Sequence, residues 1–224
     1  MRIVLRIGGS VVASPVNTDL IAKYAEIVRG LKEQGNDVVV VVGGGALARE
    51  FISIAKKLGL NEQVQDEIAI SVSRLFAQLF LKTLGDIGCR QVATTLDAVV
   101  ECLKEGKVAV MGGLKPGITT DTVAALAAEH VKADLLVKGT DQEGVYNKDP
   151  RKHADAVKLD RLSFDDLASV FAEHKHKAGI HQVIDPEAIK VLKRERVRLV
   201  VVNGFRPENV LAVVKGEKVG TMIT

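Results

Sequence analysis

Tryptophan is absent from the 224-residue chain, and tyrosine occurs only twice. So few aromatic faces leave little on which the bases of a single strand could stack. The net charge of +3 is too small to draw the chain to nucleic acid or to a membrane surface. Neither partner is expected. Cysteine is almost missing too: Cys89 and Cys102 have no metal-ligand spacing and cannot build a disulfide framework. Both are expected as small buried apolar residues in a reducing compartment. No stretch approaches the roughly 20 apolar residues of a bilayer span. The run Ile3-Val4-Leu5 behind Met1-Arg2 is too short for a secretory core. A cytoplasmic protein is expected.

Three nucleotide fingerprints are also lacking. Without G-x-x-x-x-G-K-[ST] the chain is no P-loop enzyme, and without G-x-G-x-x-G it carries no dinucleotide fold signature. The protein-kinase motif set is missing as well. Repeats, low-complexity tracts and linkers are absent, so residues 1–224 are expected to form one domain.

What the chain does have is an alternation of short β-branched runs with helical patterns. Ile3 to Ile7 and Val38 to Val42 read as strands. The second is five valines without polar alternation, as in a strand covered on both faces. Gln91 to Thr94, Val108 to Met111, Leu135 to Lys138, Leu199 to Val202 and Gly220 to Ile223 read likewise. Between them lie helical patterns over Leu20 to Lys32, Ala46 to Leu58, Glu62 to Leu84, Leu96 to Lys104 and Asp121 to Val131. Two more fall near Phe164 to Glu173 and Pro186 to Arg194. Asn17-Thr18-Asp19 offers a cap for the first. This alternation predicts an α/β fold with a mostly parallel sheet between helices.

Glycines cluster where strands end: Gly8-Gly9, Gly43-Gly44-Gly45 and Gly112-Gly113. Ligands of open α/β sheets bind beyond the carboxyl ends of strands, and glycine lets backbone N–H groups approach phosphate there. Glycine also serves tight turns, so one cluster says little; three after apolar strands suit two phosphorylated ligands. Cations accompany them. Arg49 follows the triple glycine closely enough to reach a phosphate at the helix N-terminus, or to lie solvated on the surface. Arg6 interrupts the first strand, and Lys138 ends Leu135-Leu136-Val137. A buried strand carries such a charge when it opens onto a site or is paired. Cations beside glycine loops suit phosphoryl transfer. Two polar segments complete the set. Gly139 to Pro150 holds Tyr146, which could stack on a base or pack locally. Lys115 to Asp121 leads into an Ala-rich helix, for which Thr119, Thr120 or Asp121 serves equally as N-cap. The tract His174-Lys175-His176-Lys177 reads as an exposed polar loop.

Taken together, R-I-V-L-R-I-G-G-S (Arg2 to Ser10), Val41 to Gly45 with Arg49, V-M-G-G-L-K-P-G-I-T-T-D (Val110 to Asp121) and G-V-Y-N-K-D-P (Gly144 to Pro150) resemble the amino-acid-kinase family. Within it they are similar to the archaeal type of uridylate kinase. The resemblance runs from end to end, through Val183-Ile184-Asp185-Pro186 to Gly220-Thr221-Met222-Ile223. It implies a three-layer α/β/α sandwich and ATP-dependent phosphorylation of UMP to UDP, a step of pyrimidine biosynthesis. It also implies a homohexamer built from dimers, joined mainly through the helix Glu62 to Leu84, with Mg²⁺ accompanying ATP and no separate metal site.

By the same resemblance Gly9, Ser10, Gly45 and Arg49 hold ATP phosphates, and Thr140, Tyr146 and Asp149 line the adenosine pocket. Gly44, Asp66 and the segment Leu114, Lys115, Pro116, Gly117, Ile118, Thr119 and Thr120 hold UMP, with Asp66 on the ribose hydroxyls. Read on its own, Asp66 is an acid favoured by the helix dipole. Arg6, with Lys138 as a second candidate, neutralises the transferring phosphoryl group. Many relatives have Lys where Arg6 stands; Gln182 replaces a second lysine of some; Glu143 stands where Asp is common. Acetylglutamate and isopentenyl phosphate kinases are the rivals within the family. The second of these usually has a His soon after the triple glycine, where this chain has Ala46-Leu47-Ala48. A non-catalytic nucleotide-binding storage or sensor protein is the rival outside it.

Overall fold

The computed structural model describes residues 1–167 and 183–224. Five parallel strands form the body of the sheet: β1 (Arg2–Ile7), β2 (Asp37–Val42), β3 (Ala109–Met111), β4 (Leu135–Thr140) and β8 (Arg198–Asn203). Between β4 and β8 in the chain lie three short strands, β5 (Val145–Tyr146), β6 (Lys158–Leu159) and β7 (Arg161–Leu162). With β9 (Thr221–Ile223) the sheet runs β3-β2-β1-β4-β8-β9-β7, while β5 and β6 form a separate antiparallel pair. Only β9 opposes its neighbour β8. The expected mostly parallel sheet is present.

The valine run of β2 explains why this sheet needs two covers. Val38, Val40 and Val42 join one apolar layer with Ile3, Leu5 and Ile7, against α2 (Thr18–Glu33), α4 (Glu62–Leu84) and α8 (Glu208–Val214). Val39 and Val41 face the other layer with Val4, against α5 (Leu96–Lys104), α6 (Thr120–His130) and α7 (Pro186–Glu195). Successive strand residues point to opposite faces, so an uninterrupted apolar run is buried twice. The helix boundaries follow their caps. Asn17, Asn61, Thr95, Thr119 and Asp185 each accept an N-terminal backbone N–H with their side chains, satisfying donors the helix leaves open.

Several expectations need correcting. Gln91 to Thr94 forms no strand; a single bridge joins Ala93 to Met111. Residues 164–167 are helical, but the rest of the expected helix to Glu173, the His174 to Lys177 tract and Gln182 lie outside the described residues. The short helix α1 (Gly9–Val12), helix α8 and strands β5 to β7 had no clear signal. Cys89 and Cys102 are joined in a disulfide, against the expectation of two free thiols. They meet because Val108, just before β3, bridges Gly88 and accepts from Cys89 N–H, while Cys102 lies on α5. Helix α4 is long and apolar enough, by length and composition, to cross a membrane, contrary to the reading that no stretch is. In the fold, Val72, Phe76, Ala77, Phe80, Leu81 and Leu84 of α4 are buried in the core.

Candidate active site

The carboxyl ends of β1, β2, β3, β4 and β8 share one edge of the sheet, and nearly all the candidate residues gather there. Parallel pairing fixes this, because every strand delivers its following loop to the same side. Helix α3 (Gly45–Lys57) starts at this edge. The first two glycine clusters interlock. Gly43 N–H donates to Ile7 O at 3.1 Å, and Gly8 N–H to Gly139 O at 3.0 Å. A Cβ on Gly9 would stand 2.6 Å from Gly45 Cα, and Gly45 itself has φ +62. No other residue fits that seam without moving a backbone. Ser14 pins it: its hydroxyl donates to Gly9 O at 3.0 Å and accepts from Ala46 N–H at 2.5 Å. Ser10 is half-buried in α1, Gly44 is the N-cap of α3, and Arg49 is exposed on α3.

Arg6 and Lys138 are register partners on β1 and β4. Both are buried for most of their length, and both reach Asp121 in the first turn of α6. Arg6 Nε lies 2.7 Å from Asp121 Oδ1, and Arg6 Nη2 donates to Thr120 Oγ1 at 2.9 Å. Lys138 Nζ donates to Asp121 Oδ2. Asp121 is free for this because Thr119 does the capping, its hydroxyl accepting from Asp121 N–H and Thr122 N–H. Burial pushes the Asp121 carboxyl up, but Arg6 and Lys138 outweigh it and hold it below its ordinary value. Burial pushes the Lys138 amine down, against the pull of Asp121, to about 8. Two buried cations share one contacting carboxylate at the sheet edge, with Asp185 a further anion acting on Lys138. Desolvated charge of that kind is preorganised for an anion.

The segment from Gly112 to Thr120 lies along α4. Asp66 Oδ2 accepts from Gly117 N–H at 2.8 Å. Ser73 Oγ accepts from Gly113 N–H at 2.7 Å. Arg74 donates through Nε to Gly113 O and through Nη2 to Leu114 O, both at 2.9 Å. At the far end Asp185 accepts from the Thr119 hydroxyl at 2.6 Å and the Thr122 hydroxyl at 2.8 Å, while capping α7. The third glycine cluster therefore has a packing reason. A Cβ on Gly112 would meet Arg74 N at 2.7 Å, and one on Gly113 would meet Ile70 Cγ1 at 2.8 Å.

Residues 140–150 form the remaining wall. Thr140 ends β4, and its hydroxyl donates to Asp141 Oδ1 at 3.2 Å. Tyr146 is half-buried in the β5–β6 pair, opposite Lys158. The Asp149 carboxylate accepts from Arg151 N–H at 3.0 Å. That backbone bond above all holds its carboxyl below the ordinary value. Glu143 turns outward, accepting from Asn203 Nδ2 at 2.8 Å and pairing with Arg206.

Sequence reasoning missed Asp121, Ser14, Arg74 and Asp185 as organising residues. Asp121 was visible only as one of three possible caps, and its partners are far away in sequence. A lone Arg or Ser on an amphipathic helix carries no signal of the backbone it will hold.

Buried cations beside interlocked glycine loops at the carboxyl edge of a parallel sheet define a phosphoryl-transfer class of α/β protein. The chain belongs to the amino acid kinase family, whose model matches residues 1–203. It is 43% identical over 225 residues to the uridylate kinase of Methanocaldococcus jannaschii, covering 100% of this chain and 99% of that one. It is 41% identical over 223 residues to the uridylate kinase of Archaeoglobus fulgidus, covering 100% of both. The crystal structure of the uridylate kinase from Archaeoglobus fulgidus matches with a TM-score of 0.91 at 40% identity, over 100% of each chain. The UMP kinase structure from Ureaplasma parvum, at 20% identity, shares the fold with a TM-score of 0.83 over 100% of this chain and 98% of that one.

Proposed function

We propose that the chain is a uridylate kinase, transferring the γ-phosphoryl group of ATP to UMP to give UDP and ADP. One observation carries the chemistry: Arg6 and Lys138 meet on Asp121 between the Gly9–Gly45 seam and the loop held by Asp66. Full-length likeness to the archaeal uridylate kinases supplies the substrate pair.

Both substrates are anions, so repulsion and positioning dominate the barrier. A UMP phosphate oxygen attacks the γ-phosphorus in line while the bond to the β–γ bridging oxygen breaks, and ADP leaves. The attacking oxygen is already ionised near neutral pH, so no strong general base is required. Arg6 and Lys138 stabilise charge on the transferring group, and Asp121 holds both cations in place. Gly9, Ser10, Gly45 and Arg49 take the ATP phosphates, and Thr140, Tyr146 and Asp149 the adenosine. Gly44, Asp66 and residues 114–120 take UMP. Mg²⁺ enters as the Mg·ATP substrate, bound through phosphate oxygens. Among the described residues no cluster of three or more His, Cys, Asp or Glu side chains offers a protein cage for it.

The working form is proposed to be a cytoplasmic homo-oligomer, a homohexamer assembled from dimers by family likeness. Leu75 and Leu79 stand exposed on α4 although its opposite face is core, which suits a helix covered by a second copy. A monomeric mass in sedimentation at micromolar concentration would remove the assembly. The activity is tested by assaying Mg·ATP with UMP, CMP, dTMP, acetylglutamate and isopentenyl phosphate. UMP is expected to be the best acceptor, because a site built to hydrogen-bond a group discriminates strongly against analogues lacking it. Preference for either non-nucleotide would overturn the reading.

A further inference from the structure

We infer that Arg74 is a positioning residue for the phosphoryl acceptor, setting the shape of the loop that carries UMP. The inference rests on the proposal that residues 114–120 hold UMP. Three helix α4 residues grip this loop at separate points. Asp66 takes Gly117 N–H, Ser73 takes Gly113 N–H, and Arg74 donates to two consecutive carbonyls, Gly113 O and Leu114 O. Their spacing places 66, 70, 73 and 74 on one stripe of the helix. Ile70 completes it, since only glycine at 113 leaves room for its side chain.

Of these contacts Arg74 alone fixes carbonyl direction. A guanidinium holds its N–H donors in a rigid planar fork. With Nε on one carbonyl and Nη2 on the next, it sets two successive peptide planes where the loop leaves β3. The Leu114 carbonyl begins the acceptor segment, so its orientation propagates into the N–H groups that follow. Among the described ion pairs Arg74 has no carboxylate partner. Among the described residues its hydrogen bonds go to the carbonyl oxygens of Gly113 and Leu114, at the start of the loop. Because Ser73 and Asp66 hold N–H groups while Arg74 holds carbonyls, the loop is restrained from both sides of its peptide chain. Asp66 can serve a ribose only if the loop it also supports stays in place.

Arg74→Lys retains charge and stem but loses the two-carbonyl fork, and Arg74→Gln retains a single amide donor in place of the fork. Steady-state kinetics on the full-length protein are expected to show the UMP KM rising roughly 5–10-fold in Arg74→Lys, the scale of one or two lost hydrogen bonds. Arg74→Gln should raise it further. The ATP KM should stay within about twofold, and the melting temperature of Arg74→Lys should stay within a few degrees of the parent. Amide hydrogen exchange adds a readout independent of turnover: residues 113–117 should lose protection in Arg74→Lys while the amides of β1 and β2 keep theirs. An equal rise in both KM values, or a lower melting temperature with the UMP KM unmoved, would make Arg74 merely structural and overturn the inference. If the parent protein instead fails to phosphorylate UMP, the functional reading fails. Retained or lost protection at 113–117 then still decides whether Arg74 shapes the loop.

Discussion

Arg6 and Lys138 sit side by side across the β1–β4 seam and end on the same carboxylate, Asp121. Arg6 is therefore an ion-pair partner at the sheet edge where the transferring phosphoryl group is proposed to sit, so the two roles that the sequence offered as alternatives can coexist. Asp121 anchors both cations, one on each carboxylate oxygen.

Removing one cation should hit the transition state first. Arg6→Ala is expected to lower kcat by roughly 10²-fold or more, the scale of a lost preorganised charge, with smaller changes in either KM. Its melting temperature should fall as well, because Asp121 keeps only Lys138. Arg6→Lys should recover part of the rate without the fork. Normal turnover per folded molecule in Arg6→Ala would assign the residue to structure alone.

In the proposed role beside Arg6, Lys138 is expected to give the reaction an alkaline limit. Burial pushes its amine to about 8, and Asp121, Arg6 and Asp185 are the charged groups that act on it. The profile of kcat/KM, which reports the free enzyme, should decline as pH rises through about 8. Stability should move the other way. Between about 8 and the ordinary lysine value the unfolded chain keeps a proton that the folded chain has lost, so this group's contribution to stability increases with pH. Lys138→Arg should remove the decline. An unchanged limb in that variant would assign it to another group.

Asp66 should matter to one substrate. Asp66→Asn is expected to raise the UMP KM and leave the ATP KM nearly unchanged. The carboxylate serves the loop through Gly117 N–H, and that loop is the one proposed to hold the acceptor. Equal rises in both would take Asp66 out of the acceptor site.

The Cys89–Cys102 bond closes a short loop, with 13 residues of sequence separation. Loop closure of that length restricts the unfolded chain by about 3 kcal/mol in the chain-entropy model, or roughly 6–12 °C in melting temperature for a chain of this size. Thiol titration of the denatured, unreduced protein should find no free cysteine. A reduced sample should melt correspondingly lower. Two reactive thiols before reduction would show that the bond is not formed.

The sheet was legible because its signal is local. Ile3 to Ile7, Val38 to Val42 and Leu135 to Lys138 announce buried strands by composition alone, and Asn17 marks a helix by cap chemistry. Gln91 to Thr94 failed because β-propensity does not supply a partner; it touches β3 only through Ala93. The cysteines misled for a similar reason, since pairing depends on what β3 and α5 bring together rather than on spacing. In the site, Arg6 and Asp66 were visible as charges where charge is costly or well placed. Asp121 was not, because 115 residues separate it from Arg6 and a helix-start acid has an ordinary explanation.

The Gly9–Gly45 seam carries a consequence for how this protein can change over time. Two loops from different strands touch backbone to backbone, with Ser14 bonded to both sides. A side chain introduced at either glycine lacks space until the opposite loop has retreated. A retreat alone abandons the Ser14 bonds without relieving anything. Single replacements at 9 or 45 should therefore all be deleterious, and paired replacements should not rescue one another. Variation should collect instead on exposed positions of α3 such as Glu50, Lys56 and Lys57, where the seam imposes no geometry.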